Sequence, residues 1–95
     1  MNAYGAQAKK HWAKWLPNRY SEIKDPETFF AELGEEIASE VDQMADALAG
    51  QDPLKESFLD KMGRLSSARQ QAEERILREM ALLDPENTPD ASTAE

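Results

Sequence analysis

Carboxylate pairs one helical turn apart are the groups in this sequence that come nearest to a chemical site. Glu36 and Glu40, like Asp42 and Asp46, are four positions apart in a stretch of helical periodicity, and such pairs can share a divalent cation. Di-iron helical bundles also use a Glu-x-x-His motif, which is absent because His11 is the only histidine. We therefore predict no metal and no cofactor, and interpret the pairs as part of a solvated helix face.

The sequence supports nucleophilic catalysis no better than it supports metal chemistry. The chain has no cysteine and no Gly-rich phosphate loop. Five serines have no base within helical reach: Ser21, Ser39, Ser57, Ser66 and Ser67. We predict that the protein is not an enzyme and has no catalytic residues.

Aromatic residues are concentrated in residues 11–30, HWAKWLPNRYSEIKDPETFF, which hold five of the seven aromatic rings. Two interpretations stay open. The rings cover one end of a helical hairpin, since a stripe at helical spacing is usually core. Alternatively, they bind a partner protein, because Trp and Tyr are enriched at binding hot spots. The candidates for partner binding are Trp12, Trp15, Tyr20 and Phe29.

The net charge of −8 is concentrated in residues 25–60, which carry eleven acidic groups against Lys55 alone. The candidate acidic face consists of Glu32, Glu35, Glu36, Glu40, Asp42 and Asp46. A helix lined by carboxylates can occupy a basic cleft as a mimic of nucleic acid, or it is only a solvated face. The same net charge argues against direct binding of DNA or RNA, which requires positive charge to neutralise phosphates.

Prolines and capping residues divide the chain into predicted helices over about 3–16, 26–49 and 53–83. Asp25-Pro26 and Asp52-Pro53 each resemble an N-cap followed by proline at the first helical position, and Gly50 is a helix stop. Because no stretch alternates with period two, we predict an all-α fold, with an antiparallel hairpin and an aromatic N-terminal helix. We expect one domain over 1–83 and a disordered acidic tail over 84–95.

Both long helices show an apolar stripe at steps of three and four residues, which in the second helix is interrupted once, between Leu65 and Ala72. In the first the stripe comprises Phe30, Leu33, Ile37, Val41, Met44 and Leu48, beside a strip of small residues formed by Gly34, Ala38 and Ala45. In the second it comprises Leu54, Phe58, Met62, Leu65, Ala72, Ile76, Met80 and Leu83.

Arg69 falls in the middle of the second stripe. We expect its methylenes to lie on the core with the guanidinium in water. The alternative is a buried pair with Glu35 or Glu36 near Gly34.

Few large apolar residues are available per helix, so pairing with a second copy into a helical bundle is a natural way to bury more surface. The lack of cysteine fits a reducing cytoplasm. The sequence has neither an apolar run long enough to cross a bilayer nor a signal peptide. We therefore predict a cytoplasmic protein that does not bind membranes.

The stretches HWAKWLPNRYSEIKDPETFFAELGEEIASEV and FLDKMGRLSSARQQAEERIL resemble small helical proteins carried by phages and integrative mobile elements. The resemblance covers most of residues 4–83 and implies a regulator of another protein, an inhibitor of host defence or an assembly factor. It transfers no functional residues. We predict a non-catalytic protein–protein interaction module that occupies a partner surface. The alternatives are an acidic inhibitor that mimics nucleic acid on a defence or DNA-processing complex, and a self-assembling structural or assembly protein.

Overall fold

Four α-helices are present in a computed structural model that describes residues 1–86. They are α1 (Ala3–Trp15), α2 (Pro17–Ser21), α3 (Pro26–Ala49) and α4 (Phe58–Met80). No strand occurs within the described part of the chain, so the predicted all-α class is confirmed. α3 packs against both α4 and α1, which gives the predicted hairpin with an N-terminal helix on it. The short helix α2 is an element that the sequence pattern did not predict.

The start of α3 follows the predicted capping pattern. The Asp25 carboxylate accepts hydrogen bonds from the Thr28 hydroxyl at 2.7 Å and the Thr28 amide at 3.3 Å, and Pro26 occupies the first turn. These bonds stabilise the ionised carboxylate and hold the pKa of Asp25 below its ordinary value. A side-chain oxygen at this position satisfies an amide that would otherwise lack a partner.

The start of α4 differs from the prediction, because the helix begins at Phe58 and not at residue 53. Ser57 is the N-cap, and its hydroxyl accepts a hydrogen bond from the Asp60 amide at 3.0 Å. Asp52, the predicted cap, is instead bound to two basic side chains of α4. In addition, Lys55 has a positive φ of 65°, which is incompatible with a helical turn over residues 53–57.

The end of α4 lies at Met80 instead of the predicted residue 83 because the chain turns there to meet α1. The carbonyl oxygen of Ala81 accepts a hydrogen bond from Trp12 Nε1 at 2.9 Å, and that of Leu83 lies 2.7 Å from His11 Nε2. The Glu86 amide then donates to the Trp15 carbonyl at 2.9 Å. The first three residues of the predicted tail therefore lie against the N-terminal region, and residues 87–95 lie outside the described part.

A close approach between Gly5 of α1 and Gly34 of α3 fixes the crossing of these helices. A Cβ atom on Gly34 would lie 2.8 Å from the Gly5 nitrogen and 2.9 Å from its Cα, and one on Gly5 would collide with the carbonyl oxygen of Phe30. Asn2 reinforces the contact, since its amide nitrogen donates to the Gly34 carbonyl at 2.9 Å while its side-chain oxygen accepts from the Gly5 amide. The predicted strip of small residues thus allows a second helix to pack closely at Gly34, and that helix is α1.

The buried core occupies only the part of the hairpin that α1 reaches. It consists of Ala8, Phe30, Ile37, Val41, Ala72, Ile76 and Ala81. Between residues 42 and 67 no residue is buried. Each predicted stripe therefore extends along its whole helix, but the side chains of only part of each stripe are buried in the core.

Substitution of Gly34 by Ala is expected to destabilise the fold by about 1–3 kcal/mol, because the new methyl group meets backbone atoms that cannot rotate away. Gly63→Ala is the matched control, since no atom lies within 4 Å of a Cβ at that helical position. The control should gain up to about 1 kcal/mol from helix propensity. Urea unfolding of dilute samples measures both. Equal effects of the two substitutions would contradict a close crossing at Gly34.

Candidate interaction surfaces

Two of the four predicted aromatic binding residues, Trp12 and Tyr20, pack on the core. The Trp12 ring lies edge-on to Phe30 with centroids 5.4 Å apart, and Tyr20 stacks on Phe30 at 6.0 Å. Phe30 itself is fully buried. The indole hydrogen bond to Ala81 also ties α1 to the end of α4. The aromatic cluster therefore joins the helices at one end of the molecule.

The other two, Trp15 and Phe29, are exposed at the same end of the molecule. Trp15 keeps 43% of its surface in solvent, and the Lys14 ammonium lies 4.9 Å from its ring centroid. Phe29 lies 5.5 Å from the Trp12 ring and is also exposed. A partner approaching this end would meet Trp15 and Phe29 before the other rings. The role of the four residues in partner binding stays a prediction.

The six carboxylates of the predicted acidic face are all exposed on α3, but they do not form a single row. At about 100° per residue, Glu32, Glu36 and Glu40 follow one side of the helix, whereas Asp42 and Asp46 lie on another. Glu35 lies on the same side as Asp42 and Asp46. Within residues 1–86, Asp42 is the one member of the set that forms an ion pair.

The partner of Asp42 is Arg69, whose Nη1 lies 2.9 Å from the Asp42 carboxylate. Arg69 also reaches the Tyr4 hydroxyl at 3.4 Å, and that hydroxyl donates to Glu73 at 2.7 Å. The guanidinium is half-exposed, as expected from the sequence, but it pairs with a carboxylate that the sequence did not suggest. The alternative pairing with Glu35 or Glu36 is wrong, since Gly34 faces α1. These contacts lie at the point along the hairpin where α1 begins.

Between this point and the α3–α4 loop, the hairpin carries an exposed apolar surface, and sequence reasoning assigned all of its residues except Leu59 to an apolar stripe of the core. We call it the tip patch; its members are Leu48, Leu54, Phe58, Leu59, Met62 and Leu65. Leu54 is 95% exposed, Leu59 79% and Phe58 74%. The feature that indicates this exposed surface is the difference in length between the helices. At 1.5 Å per residue, the 13 residues of α1 span about 20 Å against about 36 Å for the 24 residues of α3, so α1 covers little more than half of the hairpin.

Arg64 holds the loop between α3 and α4 in place. Its guanidinium binds the Glu56 carboxylate at 2.8 Å and 3.0 Å, the Asp52 carboxylate at 2.7 Å, and the carbonyl of Ala49 at the end of α3. Lys61 adds a second contact to Asp52 at 2.7 Å. Polar contacts, in the absence of any buried side chain, therefore order the loop that carries Leu54.

The same network shifts the titration of its carboxyl groups. Hydrogen bonds from Lys61 and then Arg64 hold the pKa of Asp52 below its ordinary value. The bond from Arg64 has the same effect on the pKa of Glu56. In both cases the cation stabilises the ionised form of its partner. The base of the tip patch thus carries paired charges at neutral pH.

The chain matches no family model, no curated protein and no solved structure. No helix within residues 1–86 is long and apolar enough to span a membrane. Over the same residues, no three His, Asp or Glu side chains come close enough together to hold a metal ion.

The Arg64 network should stabilise the fold in a pH-dependent manner. Because Asp52 and Glu56 have lowered pKa values, their contribution is present above the ordinary values of 3.8 and 4.5 and is lost as the pH falls through the folded-state values. Arg64→Met is therefore expected to lower the melting temperature at neutral pH, with a deficit that shrinks towards about pH 3. Circular dichroism melts across this range measure the deficit.

Arg75→Met is the matched control, since the contact of Arg75 within residues 1–86 is an exposed one of 3.7 Å with Glu79 on its own helix. Its effect should be small at every pH, because exposed pairs one helical turn apart contribute little. A deficit for Arg64→Met that stays constant from neutral to acidic pH would show that the network does not act through these carboxylates.

Replacement of Trp12 by Ala should destabilise the fold by about 3 kcal/mol, since it removes ring contacts and leaves the Ala81 carbonyl without its donor. Trp15→Ala, at an exposed ring three residues away, should cost less than about 1 kcal/mol. Chemical unfolding monitored by circular dichroism compares the two. A Trp12→Ala protein as stable as the parent would instead favour a binding role for that ring.

Proposed function

We propose that the protein is a non-catalytic interaction module that acts by occupying the surface of another protein chain. The single observation that supports this most is the tip patch. Six large apolar residues within 18 positions of the chain face solvent on a loop and helix ends that polar contacts hold in a fixed shape. Large exposed apolar surface on a folded protein marks an interaction site.

The size of the tip patch supports the proposal. At roughly 200 Å² for a fully exposed residue of this size, the six members together expose about 750 Å². The largest apolar patch on a typical monomer is about 300–600 Å². Surface of this extent favours burial against a partner, because leaving it in water costs about 25 cal/mol per Å².

The side chains at the site support binding over chemistry. Leu, Phe and Met dominate the tip patch, and four charged groups beside it, Asp52, Glu56, Lys61 and Arg64, are bound to one another. The only histidine lies at the other end of the molecule, against the Leu83 carbonyl. The resemblance to proteins of phages and mobile elements fits a module that regulates or assembles other chains, and we extend the proposal to that setting.

Nucleic-acid mimicry by the acidic face is the weaker alternative. Its carboxylates are divided between two sides of α3, and Arg69 binds Asp42. A mimic that presents a continuous line of charge would need these groups on one side. The exposed set Glu32, Glu36 and Glu40 is the part of the face that fits such a role.

Photocrosslinking in the native host tests the proposal and distinguishes these surfaces. A benzophenone amino acid at Phe58 is expected to give a covalent adduct with another chain, because the side chain projects into solvent within the tip patch. The same probe at Ser67, which is exposed on another side of α4, is the matched control and should give none. A third probe at Glu36 reports on the acidic face.

The adducts separate the outcomes. A Phe58 adduct without a Ser67 adduct supports a module that binds through the tip patch. Absence of any adduct at Phe58 would overturn the proposal, and an adduct at Glu36 alone would favour the acidic face instead. The mass of the adduct identifies the partner.

A further inference from the structure

The outer half of the hairpin has helical structure without a core to support it. Residues 42–67 include two turns of α3 and almost three turns of α4, and none of these residues is buried. Helices of that length are marginal in water on propensity alone, and most helical stability in proteins comes from packing of an apolar face. A packing partner would therefore stabilise this half, whose apolar side chains face solvent in a single chain.

The shape of the molecule also indicates that the outer half of the hairpin lacks a core. Its radius of gyration is 17.4 Å, whereas a compact domain of this length has about 12 Å. Its extents are 58 × 35 × 16 Å, so the thin dimension admits at most two helices packed at their usual separation of about 8–10 Å. Stable domains bury their helices between packed layers, and here the outer half of the hairpin has no second layer.

The exposed area matches what one subunit contributes to a stable dimer. The six residues of the tip patch expose about 750 Å², and a standard protein–protein interface buries about 800 Å² on each partner. On α4 the exposed members Phe58, Met62 and Leu65 are spaced by four and three residues. That is the a/d spacing with which helices pack against one another in bundles.

The charge distribution leaves the tip open to a second copy even though the chain carries a net charge of −8. Asp52 and Glu56 are bound by Arg64 and Lys61, so the base of the patch is locally compensated. Three of the six acidic-face carboxylates, Glu32, Glu35 and Glu36, lie at least six residues before residue 42. Two copies that approach tip to tip thus keep much of their uncompensated charge apart.

We infer that the partner of the tip patch is a second copy of this chain, and that two hairpins overlap tip to tip in a symmetric homodimer. The inference rests on the proposed function and identifies the partner. A partner that stabilises the outer half is most effective when it is present in equal amount whenever the chain is made, and the second copy meets this condition. In the overlap, the outer halves of α3 and α4 of both copies form a four-helix bundle, and each α1 covers the inner half of its own hairpin.

Light scattering on the purified full chain, over about 1 to 100 µM, tests the dimer. The expected mass is twice the 10.7 kDa of one chain, and the melting temperature should rise with concentration because unfolding is coupled to dissociation. Phe58→Lys should raise the dissociation constant by about 30-fold or more. Ser67→Lys makes the same charge change off the tip patch and should leave it unchanged. Met62→Gln is a milder variant, for use if Phe58→Lys loses its helical circular dichroism.

Each outcome has a distinct meaning. A parent protein that remains monomeric at about 100 µM overturns the dimer, as does a dimer that neither tip variant weakens. If the parent protein is monomeric, a Phe58 adduct with a different protein would still support the proposed interaction module. If neither a dimer nor a Phe58 adduct forms, both proposals fail.

Discussion

The contact between Gly5 and Gly34 is the constraint on which the rest of the fold depends. Two helices that touch backbone to backbone have one register and one crossing, because a side chain at either position would separate them. That register places Trp12 beside Phe30. It also brings the Trp12 indole within hydrogen-bonding distance of the Ala81 carbonyl, which follows α4. It also sets how far along the hairpin α1 extends, and α1 begins at the level of Arg69.

The two ends of the hairpin are consequently ordered by different forces. At the α1 end, stacked rings and buried aliphatic side chains form a small core. At the tip, Arg64 binds two carboxylates and a carbonyl, while the apolar side chains face solvent. These polar contacts fix the geometry of the loop without burying its apolar side chains. A surface that is ordered and yet unfavourable in water is well suited to binding, since a partner gains the apolar burial without the cost of ordering the loop.

Local sequence patterns predicted the helices better than they predicted the site. Caps and periodicity located α3, because Asp25 and Pro26 act through neighbouring backbone groups. The same Asp-Pro pattern failed at Asp52, where cations from the following helix compete for the carboxylate. The aromatic cluster was visible in the sequence, but its division into core rings and exposed rings was not. That division depends on which rings the α1–α3 crossing turns towards Phe30.

The sequence by itself determined an all-α chain with two amphipathic stripes, a charged middle and few groups capable of catalysis. These properties follow from residue types and their spacing, which act locally. Only the tertiary structure decided which parts of the stripes become core, since burial depends on what covers a face and not on the face alone. The short α1, held in register by two glycines, covers the inner half of the hairpin and leaves Phe58, Met62 and Leu65 in solvent. The apolar pattern on α4 thus extends to both sides of Arg69, but its residues are buried only on the C-terminal side.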